Sequence, residues 1–218
     1  MKLEICLFLF AGLLLTASGL TPEECQPLVQ PLSMLRGRVH MVMGYVDNDA
    51  FGAILKNTES SWVEIEEVEG RSDIVLMHEL NRINGSCFGS KLNVTIQGDS
   101  ATADCNNITS VFSMLPTCEG CMTFIVNSTV SNLEVFLKAT NLDIDPGKKE
   151  IKGRSLYLMG RAESDRQHTS RYSPFSDADV EKFKQQASCF GFDREPDYRH
   201  DSKTVFCREE ESTYLPIF

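Results

Sequence analysis

From about Arg38 to Ala162 the chain is a succession of short apolar runs with polar residues interleaved at a period of two, the signature of half-buried strands. The runs are Val39 to Val46, Trp62 to Val68, Ile74 to Leu80, Leu92 to Ile96, Ala101 to Cys105, Val111 to Leu115, Met122 to Val126, Val135 to Thr140 and Leu156 to Arg161. Gly70, Gly98-Asp99, Pro116 and Asp145-Pro146-Gly147 break the chain between them. This spacing predicts an all-β antiparallel barrel or sandwich of roughly eight or nine strands. The count depends on whether Cys105 to Pro116 holds one strand or two. The period then changes. Ser176 is an N-cap, Asp177 and Asp179 occupy a first turn, and Phe175 and Val180 have the spacing of a hydrophobic staple. Val180, Phe183 and Ala187 form a narrow apolar stripe, and Gly191 is a stop. One helix packed outside the β-structure is expected there.

Four Asn-x-Ser/Thr sequons, at Asn84, Asn93, Asn107 and Asn127, predict glycosylation and so solvent-facing positions. They also set strand parity, because successive side chains point to opposite faces. If Asn93 and Thr95 face out, Leu92, Val94 and Ile96 face in. An outward Asn127 turns Met122, Phe124 and Val126 inward, and outward Glu64 and Glu66 leave Val63 and Ile65 inside. Alternation places Met41, Met43, Tyr45, Val63, Ile65, Phe124, Val126, Tyr157 and Met159 on the interior, with Phe112 and Leu137 as further candidates. Leu156 and Leu158, of opposite parity to Tyr157, are expected against the helix. Met and aromatic side chains make adaptable apolar walls, suited to one small ligand inside a barrel of about eight strands.

The N-terminus changes the picture from a generic β-domain to an exported one. Lys2, the apolar run Ile5 to Leu15 and the small-x-small Ala17-Ser18-Gly19 read as a secretion signal over residues 1–19, followed by a barrel domain over 20–207 and an acidic, loosely held tail over 208–218. The run is too short to span a bilayer, so no membrane span is expected. The chain is acidic, with a formal charge of −10 and no basic stretch, which excludes nucleic acid and anionic membranes as partners. Cys6 leaves with the signal. Seven of the eight cysteines then remain, and an odd count in an oxidising compartment leaves a thiol free or paired between molecules. A monomer is expected, with a dimer through the odd cysteine as the alternative.

A signal, a cysteine-bearing N-terminal segment, about eight strands and one C-terminal helix together resemble a lipocalin. The matching motifs are Gly37-Arg38-Val39, which lacks the family's first-strand tryptophan, Leu158-Met159-Gly160-Arg161 for the arginine that packs beneath it, and a weak Asn141-Leu142-Asp143. The stretches Ser155 to Arg161, Phe183 to Cys189 and Glu195-Pro196-Asp197-Tyr198 are similar to the orosomucoid-like branch, which includes the tributyltin-, saxitoxin- and tetrodotoxin-binding plasma lipocalins of fish. The resemblance implies an eight-stranded up-and-down barrel with an internal cavity and disulfides joining Cys25 to Cys189 and Cys87 to Cys207. It implies Val39 as a smaller plug over Arg161 at the barrel floor.

Cys118-Glu119-Gly120-Cys121 is the one local motif that suggests chemistry, as a redox dithiol or half of a zinc site. The expectation is a structural disulfide from Cys105 to one member of the pair, leaving the other free. The histidines show no ligand spacing, no Ser-His-Asp arrangement or phosphate loop is present, and Val39 to Leu80 lacks the cysteine that lipocalin-type isomerases use. We therefore expect no catalytic residue, metal or cofactor. The reading is a secreted carrier of small hydrophobic or amphipathic ligands, lipophilic xenobiotics or toxins included. The alternatives are an interaction glycoprotein with a filled barrel and, more remotely, a redox enzyme using Cys118 and Cys121.

Overall fold

The alternating runs become eight antiparallel strands: β1 Gly37–Val46, β2 Thr58–Val68, β3 Arg71–Ile83, β4 Ser86–Gln97, β5 Ser100–Cys105, β6 Ile108–Leu115, β7 Cys121–Ser131 and β8 Glu150–Arg161. The computed structural model describes residues 21–27, 37–105, 107–118, 121–161 and 175–215. The expected signal, residues 1–19, lies outside them. Each strand pairs with the next, β4 joins β5, and β8 returns to β1, so the sheet closes into an up-and-down barrel. Cys105 to Pro116 divides into the end of β5 and the separate strand β6, and the count is eight because the stretch from Val135 to Thr140, expected as a strand, is not one. Asn84 and Gly85 both have positive φ (48° and 75°) between β3 and β4, the backbone a two-residue hairpin turn with right-handed strand twist requires.

Two seams in the ring are filled by short added strands. β1 pairs with β2 only from Gly37 to His40, and β9 (Tyr198–Arg199) takes the edge of β1 at Met43 and Gly44. β4 pairs with β5 only from Val94 to Gln97, and β10 (Thr213–Tyr214) runs parallel to β4 at Phe88 and Gly89. Residues 208–215 are therefore docked. The acidic run that suggested a loose tail instead meets cations on the barrel, with Glu211 Oε1 3.0 Å from the Arg82 guanidinium.

Among the described residues three α-helices decorate the barrel. α1, Asp49–Lys56, links β1 to β2 where the hydrophobic pattern gives no expectation; Asn48 Oδ1 caps it by accepting from the Ala50 and Phe51 amides. α2, Leu133–Ala139, replaces the strand expected over Val135 to Thr140. Leu133 and Leu137 are buried one turn apart while Glu134, Val135, Lys138 and Ala139 are exposed, a helical period that a window starting at Val135 reads as alternation. Asn132 in the left-handed region ends β7 just before it. α3, Asp177–Cys189, starts at the expected cap: the Ser176 and Asp179 side chains each hold the other's backbone amide. Phe183 and Ala187 of α3 pack against Leu156 and Leu158 of β8 outside the barrel.

Parity fails once, in β1. The register with β8 slips between Met41 and Met43, so Val42 and Met43 oppose it as a bulge. One extra residue sends every later side chain to the other face. Met43 and Tyr45, expected inside, lie outside under α3, where the Tyr45 ring meets those of Phe183 (5.7 Å) and Phe192 (5.5 Å). Gly44 and Val46 take the inward positions.

Disulfides join Cys25 to Cys189, Cys87 to Cys207 and Cys118 to Cys121. The last corrects the expected bond from Cys105 to one of that pair. Cys105 sits opposite Ile108 at the start of β6, and Cys118 follows the other end of that strand. Eight extended residues separate them by roughly 26 Å, beyond disulfide reach. Cys105 is the free cysteine of the described residues. The first bond is reinforced by Gln186, buried in α3, whose amide donates to the carbonyls of Glu24 and Pro116.

Candidate functional site

Inward side chains of the eight strands do not fill the barrel. They enclose a cavity of about 410 Å³, within the roughly 300–1,000 Å³ range of small-molecule pockets. Met41, Val63, Ile65, Phe112, Phe124, Val126, Tyr157 and Met159 line it, as alternation indicates. Met43 and Tyr45 are excluded by the β1 bulge, and Leu137 by the helix, on which it packs with Leu133, Leu142 and Ile151 at the barrel end. Helices close that end: Phe51, Ile54 and Leu55 of α1 and Leu133 and Phe136 of α2 reach the cavity. Val39 lines it near the opposite end, and the Arg161 side chain expected beneath it lies outside the described residues.

Polar residues are the minority of the lining and are spread over several strands. Among the described lining residues Glu79 is the only charged one. It faces inward because it pairs across the sheet with Val63 on β2 and Ser90 on β4, both of which line the cavity. Asn81 Nδ2 donates to Glu79 Oε1 at 2.9 Å. Removal from bulk water pushes the Glu79 carboxyl above its ordinary range, and the Asn81 bond opposes that only in part. Across the cavity burial pushes the Tyr157 hydroxyl up to about 12. The Ser110 and Ser128 hydroxyls, 2.8 Å apart on β6 and β7, satisfy each other. Cys105 also reaches the cavity wall. No histidine lines the cavity among the described residues, so neither the thiol nor a serine has an imidazole base beside it.

Sequence reasoning missed Glu79 and Asn81. Their signal was the β2–β3 register: Val63 inward requires Glu79 inward. Within β3 alone, polar residues occur on both parities (His78 and Glu79), so the strand does not orient itself.

The three sequon asparagines Asn84, Asn93 and Asn127 are exposed and Asn107 is half-buried. Cys118 and Cys121 lie in the connection from β6 to β7, at the barrel end opposite α1 and α2. No described helix is long and apolar enough to cross a membrane.

No protein-family model and no curated protein matches the chain. Similar solved structures include the siderocalin Ex-FABP (12% identical, 77% of this chain and 89% of that chain, TM-score 0.46). A dog lipocalin allergen is 16% identical over 72% of this chain and 87% of its own, with a TM-score of 0.47. Bovine odorant-binding protein in complex with undecanal is 17% identical over 83% and 92%, with a TM-score of 0.40. The barrel assignment itself rests on the strand order and register given above.

Proposed function

We propose that this chain is a secreted, N-glycosylated carrier that buries one small hydrophobic or amphipathic molecule inside its barrel. The observation that carries this is the mainly apolar cavity of about 410 Å³, walled by strands and closed at one end by α1 and α2. A filled barrel acting through its surface would have no such space. The Glu79–Asn81 corner in a mainly apolar wall favours an amphipathic ligand whose polar end donates hydrogen bonds there. Three disulfides suit an oxidising, extracellular compartment. The sequence resemblance to orosomucoid-like lipocalins extends the proposal to lipophilic xenobiotics such as organotins, and less to guanidinium toxins. In this reading the mature domain begins near Leu20, and Asn84, Asn93, Asn107 and Asn127 carry the glycans.

Titration with an environment-sensitive naphthalene dye tests the proposal. The expected result is saturation at one dye per chain, with release by a competing apolar molecule. A dye signal that rises linearly without saturation, on glycosylated protein purified from a secreting cell, overturns it.

A further inference from the structure

The C-terminal segment from Arg208 to Leu215 crosses the outside of the barrel and ends at the β4–β5 seam. There the Leu215 amide donates to the Gly89 carbonyl at 3.1 Å, and the Leu215 side chain lines the cavity. The Tyr214 ring lies on Gly89, where an added Cβ would come within 3.0 Å of it. The segment thus forms a piece of the cavity wall that is not part of the eight-stranded ring. Its root is fixed, because Cys207 is bonded to Cys87. Its tip is held by few contacts: two β10 residues against β4, and the Tyr214 hydroxyl 2.7 Å from His78 Nε2.

His78 is buried beneath this tip, 3% exposed, with the Trp62 ring edge-on at 5.1 Å and the Tyr214 ring stacked at 5.6 Å. Its surroundings are charged on every side. Glu64 faces it across the sheet from β2 and Lys91 from β4. Glu209 comes from the segment itself, 3.9 Å from Nδ1. From β1, the Arg38 guanidinium lies 2.8 Å from Glu64 and 3.9 Å from Glu209.

We propose that residues 208–215 are a strap that closes the β4–β5 seam at neutral pH and lets go when His78 takes up a proton, opening the cavity through the side of the barrel. The physical reason is linkage. Burial is the main cause that holds His78 below its ordinary range of about 6.5, with Lys91 and Arg38 adding to it and Glu209 and Glu64 opposing, and the Tyr214 ring of the strap stacks on the imidazole as part of that cover. With the strap lifted, the imidazole regains water and its ordinary pKa. The lifted state therefore binds the proton more tightly, and acid favours it. An imidazole is the side chain whose ordinary titration falls between about pH 5 and 8, so between pH 7.5 and 5.5 the histidine is the strap's titrating contact. The device rests on the carrier reading only for its consequence, ligand escape.

Hydrogen–deuterium exchange on the glycosylated, disulfide-intact protein reads the strap without any ligand. After correction for intrinsic rates, the Leu215 amide, which donates to the Gly89 carbonyl, should lose protection between pH 7.5 and 5.5, by at most about tenfold per pH unit for a single proton. Amides of β2 and β3 should not change over that range. His78→Phe, which keeps an aromatic ring under Tyr214, should remove the pH dependence. Equal strap protection at both pH values, or a loss that persists in His78→Phe, overturns the proposal. A dye dissociation rate that rises at pH 5.5 in the parent protein, and is fast at both pH values after deletion of residues 213–218, ties the strap to escape. If exchange changes as expected but the dye never saturates, the strap stands and the carrier reading fails. If the dye saturates and its release ignores both pH and the deletion, the side opening is wrong.

Discussion

The barrel has two faces built from the same kinds of residue, and they are packed to different ends. Outside, under α3, Met43, Tyr45, Leu115, Leu156, Leu158, Phe183 and Ala187 are all buried to 1% exposure or less. Inside, Val63, Ile65, Met77, Leu92, Phe112 and Phe124 are only partly buried, because each gives part of its surface to the cavity. Close packing gains dispersion contacts with neighbouring protein atoms that a side chain facing a cavity forgoes. The outer layer therefore holds the barrel together, which lets the inner layer keep a space.

The sharpest way to break this contrast is a matched pair of truncations. Phe183→Ala in the outer layer should cost about 3–5 kcal/mol in a denaturant melt. Phe112→Ala, whose ring already borders the cavity, should cost less than half of that, about 1–2 kcal/mol. Equal costs would mean that the inner face is packed like the outer one. Filling the space comes next in size: Ala103→Trp, from a buried small residue on the cavity wall, should weaken dye binding by about tenfold or more without lowering the melting temperature. A normal dye affinity would place the binding site elsewhere.

The smallest effect sharpens the comparison at the one carboxyl group among the described lining residues. Glu79 holds its proton more tightly folded than unfolded, so stability declines as pH climbs above the ordinary carboxyl value of 4.5. Glu79→Gln should remove that decline, raising the melting temperature of the ligand-free protein at pH 8 and giving a gain that shrinks toward pH 4.5. A variant less stable than the parent at pH 8 would show that the carboxylate is well solvated where it sits.

Much of this was legible because alternation is a local rule. Strands whose outward residues are named by a sequon or a glutamate pair, β2, β4 and β7, present their predicted faces to the cavity. β1 carries no such marker, and its bulge at Val42–Met43 reversed Met43 and Tyr45, since inserting one residue changes no local preference. Val135 to Thr140 misled for a related reason: a seven-residue helix offers too few turns for its period to stand out from alternation. The disulfide expectation failed on distance along β6, a length that only the strand assignment supplies.

By itself the sequence determined the all-β class, the run of strands, the capped outer helix and most of the apolar cavity wall, because these follow from periodicity and from caps that act over a few residues. The tertiary structure decided what lies between strands that are distant in sequence. Ring closure brought β8 to β1. Cross-strand register turned Glu79 inward beside Val63. Docking of residues 208–215 onto β4 made a wall out of what reads as a tail. Each of these depends on which side chains face each other across the sheet, a relation set by pairing and packing rather than by any single stretch of chain.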